Sequence, residues 1–180
     1  STVDGAYAFD GAHSSAMNIG TVNKIIRLRK GVLFSSAEQA ICQLSDSVFT
    51  IDIPGVRDAV LTENGTLWLA SQRNGLIRLQ NGTPEIIDAN HGLAYDRVRS
   101  LLYKDGKLLV GSQQGLAFFQ NPETFVLDAS QGIRDESVHA ALMNGDDYWL
   151  GTASGISIVK ADGSVENYSL ESGLPGGIVL

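Results

Sequence analysis

The sequence predicts an all-β protein built from a four-stranded antiparallel unit that recurs about every 40 residues. Two observations carry this prediction: landmark residues return in phase along the chain, and each interval holds four short apolar runs separated by turn residues. Runs of this length, rich in Val, Ile, Leu, Phe and Tyr, are too short for helices and typical of strands. Helical repeats would show a 3.6-residue period, which is absent, and a parallel β-helix would repeat faster.

The landmarks keep their spacing through most of the chain. Val56, Val98, Val138 and Ile178 follow one another at spacings of 42, 40 and 40 residues. Glycines and pairs of small residues keep the same phase, at Gly75, Gly115, Gly155, Ala70-Ser71, Gly111-Ser112 and Gly151-Thr152. Because so many independent positions do not stay in register by chance, we interpret the chain as a repeat protein.

The strands of one unit follow from its apolar runs and turns. In the copy that begins at Val56, the runs cover 56–61, 66–71, 75–80 and about 84–88. The second run, LWLAS in this copy, is apolar on both alternating faces, which predicts a strand covered on both sides by neighbouring sheets. The first turn of each copy holds a dipeptide suited to a tight hairpin, at Lys30-Gly31, Asn64-Gly65, Asp105-Gly106 and Asn144-Gly145.

Four antiparallel strands in about 40 residues are typical of one blade of a β-propeller. We predict a partial ring made of four full blades and two partial ends. The predicted units are 1–21 (the outer part of a blade), the blades 22–55, 56–97, 98–137 and 138–177, and 178–180 (the start of the next inner strand). Because open repeat arrays expose apolar end faces, we expect further blades or self-association. We interpret Trp68 and Trp149, which share one repeat position, as fillers between blades.

Composition excludes several classes of function. The 180 residues include 13 basic and 20 acidic side chains, for a net charge of −7 and no basic run, which disfavours nucleic acid as a partner. No apolar stretch approaches the ~18 residues of a membrane span, so we expect a membrane only through a longer parent chain. Cys42 is the one cysteine, which excludes an internal disulfide framework, and we predict a small buried thiol on a strand.

The repeat unit resembles the two-component-regulator propeller repeat. The residues that carry the resemblance are Gly92-Leu93, Val98, Gly106, Leu109, Gly111-Ser112 and Gly115-Leu116, and in the next copy Gly132-Ile133, Val138, Gly145, Trp149, Gly151-Thr152 and Gly155-Ile156. The match covers about 56–180 well and 1–55 loosely. The family usually builds rings of about seven blades, whereas this chain holds four complete copies and two ends.

The resemblance implies a function as well as a fold. Proteins of this family are typically periplasmic sensor regions of bacterial membrane receptors, joined to histidine kinases or diguanylate cyclases. The implied role is therefore a ligand-sensing or signal-relay module that has no catalytic activity and no cofactor of its own. Its expected partners are a small-molecule ligand or another receptor subunit.

A ligand site is expected where two sets of propeller loops meet around the central channel: the connections from an outer strand to the next inner strand, and the turns between strands two and three. The candidate residues on this face are Arg57, Arg73, Asn74, Tyr95, Arg97, Arg99, Gln113, Gln114 and His139. The arginines place positive charge on an acidic protein and suit a carboxylate or a sulfate. The alternative is that they are solvated or hold loops in place.

Catalytic and metal sites have little support. His13, His91 and His139 fall in different repeats without a close ligand pair, so zinc is not expected. The paired carboxylates Asp135-Glu136 and Asp146-Asp147 lie in predicted turns and have no convergent partners in other copies. No Gly-x-Ser-x-Gly elbow or phosphate loop is present.

Two other functions stay open. One is a scaffold for protein–protein contacts, as in WD-repeat propellers, although their Gly-His and Trp-Asp dipeptides are absent. The other is a propeller hydrolase or lyase, because TENGTLW at 62–68 is faintly similar to the aspartate box of sialidases. That segment lacks the residue between the acid and the glycine, and asparagine replaces the acid.

Overall fold

A computed structural model describes residues 6–9, 14–17, 20–45, 47–91, 93, 95–120 and 123–177 of the chain. These residues form β-strands and three short 3₁₀ helices, without an α-helix among them, so the predicted fold class is confirmed. The predicted start of an inner strand at 178–180 lies outside the described residues. Gly92, one of the residues that carry the resemblance, and His13 lie outside them as well.

The described residues form a two-stranded hairpin and four four-stranded antiparallel sheets, which we call blades 1 to 4. The hairpin is β1 (Ala6–Phe9) and β2 (Ser14–Met17). Blade 1 is β3 (Lys24–Leu28), β4 (Gly31–Ser35), β5 (Ala40–Leu44) and β6 (Val48–Ile51). Blade 2 is β7 (Val56–Leu61), β8 (Leu67–Ser71), β9 (Gly75–Gln80) and β10 (Thr83–Ile87). Blade 3 is β11 (Val98–Lys104), β12 (Lys107–Ser112), β13 (Gly115–Gln120) and β14 (Glu123–Leu127). Blade 4 is β15 (Val138–Asn144), β16 (Asp147–Thr152), β17 (Gly155–Val159) and β18 (Val165–Tyr168).

The blades follow one another around a common centre. Within each sheet the strands pair in chain order, so the first strand lies at one edge and the fourth at the other. The first strands β3, β7, β11 and β15 contact one another in sequence. Because neighbouring blades meet mainly through these inner strands, the sheets radiate from a central channel, as in a propeller.

Tight turns close the hairpins within one residue of the predicted dipeptides. Asp105-Gly106 is the turn of blade 3, whereas the turn of blade 1 is Arg29-Lys30, because Gly31 already begins β4 and pairs with Leu28. Asn81 and Asp105 have positive φ angles of 52° and 51°, and the glycines after them have φ angles of 80° and 79°. Two consecutive residues with positive φ define the type I′ turn, whose twist matches the twist of paired strands. The Asn-Gly and Asp-Gly dipeptides therefore set the register of β9 with β10 and of β11 with β12.

The core lies between the blades, and the second strands form its centre. Leu33, Leu69, Leu109 and Leu150 are each 0–1% exposed. Cys42 is fully buried in the cluster between blades 1 and 2, as predicted, and burial raises the pKa of its thiol to about 11. Burial on both faces of each second strand explains why these segments are apolar without alternation.

The two tryptophans at one repeat position have different surroundings. Trp68 packs in the cluster between blades 2 and 3, as predicted, and the Arg78 guanidinium lies 5.9 Å from its ring centroid. Trp149 is only partly buried, and it lies on the face of blade 4 that no described blade covers.

Short 3₁₀ helices, which the repeat pattern does not predict, lie in the connections that close blades 2, 3 and 4: Ala89–His91, Ala129–Gln131 and Leu170–Ser172. In the second of these, Ser130 N donates to the Asp128 carboxylate at 2.8 Å and Asp128 N donates to Gln131 Oε1 at 2.8 Å. This is a capping box, and Gly132 ends the helix with a φ angle of 99°. The residue that follows, Ile133, is 2% exposed and joins the core between blades 3 and 4.

One buried carboxylate joins two blades. Asp58 on β7 accepts a hydrogen bond of 2.8 Å from Leu101 N on β11 and one of 2.9 Å from Ala59 N. Burial raises the pKa of Asp58, while these two N–H donors and the charge of Lys24 oppose the rise. Ser100, at the same position of blade 3, is 4% exposed, and its hydroxyl has no hydrogen-bond partner among the described residues.

Candidate functional site

A β-bulge begins the inner strand of blades 2, 3 and 4. The register of each strand shifts by one residue after its first valine, between Val56 and Asp58 in blade 2, and the equivalent shifts occur in the next two blades. The extra residues are Arg57, Arg99 and His139. A bulged residue has no partner on the neighbouring strand, and bulges commonly redirect a side chain at a site. Blades 2, 3 and 4 therefore each place one polar side chain at the equivalent position at the channel mouth.

Two of these bulged residues contact each other across the junction between blades 3 and 4. Arg99 Nη1 lies 2.5 Å from His139 Nδ1 and 3.0 Å from Nε2. Ser137 Oγ lies 3.4 Å from His139 Nε2. A guanidinium has only donors, so an imidazole in contact with it must be neutral to accept a hydrogen bond. Desolvation and the charge of Arg99 lower the pKa of His139, and Asp135 partly opposes them.

Positive charge is concentrated at this mouth. Desolvation, together with the nearby charges of Arg57 and Arg97, lowers the pKa of Arg99. We call Arg57, Arg97, Arg99 and His139 the mouth cluster. Neighbouring positive charges repel one another in a partly desolvated site, so this arrangement is stable only when an opposite charge offsets the repulsion. An anion at the mouth would supply that compensation.

Two glutamines hold arginines of the mouth cluster. Arg57 Nε donates to Gln72 Oε1 at 3.0 Å, and its Nη2 donates to the same oxygen. Arg97 Nη1 donates to Gln113 Oε1 at 3.5 Å. Gln72 and Gln113 occupy equivalent positions, each directly after the serine that ends the second strand. A neutral amide orients the guanidinium without cancelling its charge, so both arginines stay available to an anion.

A cavity of about 490 Å³ opens between blades 2 and 3 on the same face. It is lined by Gln72, Arg73, Tyr95, Asp96 and Arg97. Asp96 accepts a hydrogen bond of 2.6 Å from Ala89 N and so holds the loop that forms one wall. Its size falls in the range of small-molecule pockets, and its walls combine two guanidinium groups with an aromatic ring.

The structure brings together most of the residues expected at the site. Six of them lie in the mouth cluster or line the cavity: Arg57, Arg73, Tyr95, Arg97, Arg99 and His139. Gln113 joins them through Arg97. Asn74 and Gln114 have a different role: their backbone N–H groups donate to Ser71 Oγ at 3.1 Å and to Ser112 Oγ at 3.2 Å, which closes the turn between strands two and three.

Four further residues complete the site: Gln72, Asp96, Asp135 and Ser137. Asp135 accepts from Ser137 N at 2.8 Å and from Ser154 Oγ at 2.5 Å, so it supports the loop beside His139. The recurrence of glutamine after Ser71 and Ser112 is the sequence signal that points to Gln72. The other three lie in closing loops of different sequence, where the repeat pattern gives no signal.

The titration of His139 provides a test of the mouth cluster. We expect its pKa to lie below 6.5, the ordinary histidine value. Because the unfolded chain then takes up the proton at higher pH than the folded chain, stability falls as the pH decreases from about 6.5 towards the lowered pKa. We expect Arg99→Gln to raise the His139 pKa, measured by NMR titration of the imidazole. Arg29 lies in the turn between β3 and β4, at the end of blade 1 opposite the channel mouth. Arg29→Gln is therefore the control, and it should leave the His139 pKa unchanged. Equal pKa values in all three proteins would contradict this account.

The described residues hold no group of three or more His, Cys, Asp or Glu side chains placed to bind a metal ion. None of the helices in the described part of the chain has the length and apolarity required to cross a membrane. What the site offers is a set of fixed guanidinium donors, a neutral imidazole and a tyrosine around one opening. Such a set can bind and orient an anionic group.

Comparison with known proteins finds likenesses of structure. No protein-family model and no curated protein matches the chain. The extracellular domain of the hybrid two-component system BT3049 from B. thetaiotaomicron superposes with a TM-score of 0.67 at 14% identity, over 82% of this chain and 25% of that one. The extracellular domain of the one-component system BT4673 from the same organism gives 0.66 at 15% identity, over 92% and 23%.

A third likeness is to PorZ, a surface component of the type-IX secretion system of Porphyromonas gingivalis, with a TM-score of 0.66 at 10% identity, over 97% of this chain and 32% of that one. The chain therefore spans about a quarter of the length of the two extracellular domains and about a third of PorZ. At these identities the likeness concerns the fold: the chain has the blade architecture found in extracellular domains of bacterial two-component systems.

Proposed function

We propose that the chain is a non-catalytic, ligand-sensing or signal-relay propeller module of a bacterial membrane-bound sensor. The observation that carries the proposal is the mouth cluster, in which Arg57, Arg97, Arg99 and His139 surround one opening next to a cavity of about 490 Å³. The likeness to extracellular domains of two-component systems supports a sensor and a periplasmic location. A histidine kinase or diguanylate cyclase in the parent protein belongs to the same proposal.

The ligand follows from the chemistry of the site. Guanidinium groups present paired donors that match a carboxylate or a sulfate, and these charge-assisted hydrogen bonds are the strong ones. Tyr95 adds an aromatic wall to the cavity. We therefore propose a small molecule that carries at least one carboxylate or sulfate, bound with its anionic group at Arg97 and Arg99.

Binding at this place would reach several blades at once. The cavity lies between blades 2 and 3, and the Arg99–His139 contact crosses from blade 3 to blade 4. A ligand that draws the Arg99 guanidinium away from His139 changes a contact between blades. A ligand can shift the balance between two arrangements of the blades only if it interacts differently with each. Breaking the contact between Arg99 and His139 would be such a difference, and it would relay the signal from the site to the blades.

Titration with succinate, sulfate and the neutral analogue succinamide tests the proposal. We expect succinate and sulfate to perturb the NMR signals of the arginine Nε–H groups at the mouth in the full chain, and succinamide to leave them unchanged. Arg97→Ala with Arg99→Ala should weaken succinate binding by at least about 100-fold, because each lost charge-assisted hydrogen bond costs about 1.5–3 kcal/mol and the double variant loses two.

Arg29→Ala is the matched control, since Arg29 is an exposed arginine at the opposite end of blade 1 that pairs with Glu63 at 2.6 Å. It should leave succinate binding unchanged. Equal binding of succinate and succinamide, or equal affinity in the double variant and the wild type, would show that the mouth cluster is not an anion site.

A further inference from the structure

A second cavity, of about 670 Å³, lies between blades 1 and 2. One of its walls is a row of blade 2 side chains that are paired directly across four strands: Leu61, Leu67, Leu79 and Pro84. Leu61 is the last residue of β7, whereas Arg57 of the mouth cluster lies near the start of that strand. The cavity therefore opens at the end of the sheets opposite the channel mouth. Its volume falls within the range of small-molecule pockets.

The rows equivalent to this wall contain aromatic side chains in the next two blades. In blade 3, Phe119 occupies the position of Leu79 and packs in the cluster between blades 2 and 3. In blade 4, Tyr148 occupies the position of Leu67, and its ring makes an edge-to-face contact with Phe118, with 5.4 Å between the centroids. Because blade 2 has leucines at both positions, the cavity lies where aromatic rings fill the other two junctions.

Blade 1 does not close the gap from its own side. Cys42 occupies the position that Phe118 holds in blade 3, and it is a much smaller side chain. Leu44 and Phe49 line the cavity from blade 1 and are only partly buried. Walls of this kind offer water few hydrogen-bond partners, so an apolar ligand is favoured there over water.

Among the described residues that line the cavity, only Asp52 is ionisable. It follows β6 directly, it is exposed, and its carboxylate has no ion-pair or hydrogen-bond partner in the described part of the chain. A cationic group on a ligand is therefore attracted to this part of the cavity, whereas an anionic group is repelled. The cavity and the mouth cluster thus favour ligands of opposite charge.

We propose that this cavity binds a small molecule that has an aromatic ring and a cationic amine. The ring takes the place that Phe119 and Tyr148 fill at the other two junctions, and the amine pairs with Asp52. Aromatic groups already fit between neighbouring blades of this chain at the same level of the sheets. The cavity uses residues other than those of the anion site, so loss of one site leaves the other intact.

Titration of the full chain with tryptamine, followed by NMR of the leucine methyl groups, tests the site. We expect the signals of Leu61, Leu67 and Leu79 to shift, with a dissociation constant of about 1 mM or tighter for a ligand of this size. Leu150 is fully buried between blades 3 and 4, and its signal should stay unchanged. Unchanged signals of the three cavity leucines at about 10 mM tryptamine would overturn the proposal.

Leu79→Phe fills the cavity with the residue that blade 3 has at this position. We expect it to weaken tryptamine binding at least about tenfold, because the new ring and the ligand compete for one space. Leu170→Phe is the matched control, since Leu170 is 60% exposed in the 3₁₀ helix that follows blade 4, and it should leave the affinity unchanged. Equal affinity in the wild type and in a Leu79→Phe chain with the wild-type circular dichroism spectrum would show that the ligand does not occupy the cavity.

The charge of the ligand is tested with tryptophol, in which a hydroxyl group replaces the amine of tryptamine. We expect tryptophol to bind about two- to fivefold more weakly, because an exposed ion pair contributes little. Asp52→Asn should remove this difference, whereas Glu171→Gln, which changes an 85% exposed carboxylate beyond blade 4, should preserve it. Equal binding of the two molecules to the wild type, or a difference that persists in Asp52→Asn, would overturn the assignment of a cationic ligand. Both substitutions change exposed side chains, so this comparison holds even if Leu79→Phe does not fold.

Discussion

Gly155→Ala is expected to destabilise the fold by about 3–5 kcal/mol. Gly155 has a φ angle of 135°, which side chains rarely adopt, and a Cβ atom there would lie 2.0 Å from the backbone oxygen of Tyr168. Tyr168 is paired with Ile156 on the adjacent strand, so the clash cannot be relieved without breaking the sheet at its outer edge. Urea unfolding followed by circular dichroism measures the loss.

Gly163→Ala is the matched control for Gly155→Ala. Gly163 also has a positive φ, 86°, but nothing lies within 4 Å of the position of a Cβ atom. Only the backbone strain remains, so the expected loss is about 1–2 kcal/mol. If the two variants lose the same stability, close approach of the backbone is not the reason for glycine at position 155.

Leu69→Ala is expected to destabilise the fold by about 3–5 kcal/mol. Leu69 is fully buried at the centre of β8 and packs in the cluster between blades 1 and 2. Its removal leaves a cavity between two stacked sheets, and the strands cannot close over the gap because their hydrogen bonds fix their positions. The measurement is again the free energy of unfolding in urea.

Ile86→Ala removes a similar amount of apolar side chain from a surface that is already 50% exposed, so it should cost at most about 1 kcal/mol. A loss in Leu69→Ala no larger than in Ile86→Ala would mean that blades 1 and 2 do not form a packed core. Both substitutions lie in blade 2, which keeps the comparison within one sheet.

The fold could be predicted largely because backbone geometry dictates the repeated residues. Gly75, Gly115 and Gly155 recur in phase because each begins a third strand where the backbone of the fourth strand passes too close for a side chain, with 2.6, 2.7 and 2.0 Å to a hypothetical Cβ atom. The apolar second strands and the Asp105-Gly106 turn have equally local causes. Period and strand positions therefore follow from the sequence alone, and the first turn of each blade follows to within one residue.

The 3₁₀ helices and the site contacts could not be predicted in the same way. The helix at Ala129–Gln131 depends on the reciprocal hydrogen bonds between Asp128 and Gln131. Asp88-Ala89 repeats the Asp-Ala pair in blade 2, but His91 replaces Gln131 there, and the blade 4 helix follows Ser169 instead. The Arg99–His139 contact joins residues of two blades, and it depends on how each bulge turns its side chain. Repeat register places both residues at the channel mouth, but it does not specify which of them touch.

The bulges also separate the chemistry of the mouth from the requirements of folding. Arg57, Arg99 and His139 have no partner on the neighbouring strand, whereas the valines before them are 0–2% exposed. Exchange of one bulged side chain therefore alters the opening while leaving the sheets intact. Blades 2, 3 and 4 each offer one such replaceable position, so a small combinatorial library at these three positions would sample many recognition surfaces on a single scaffold.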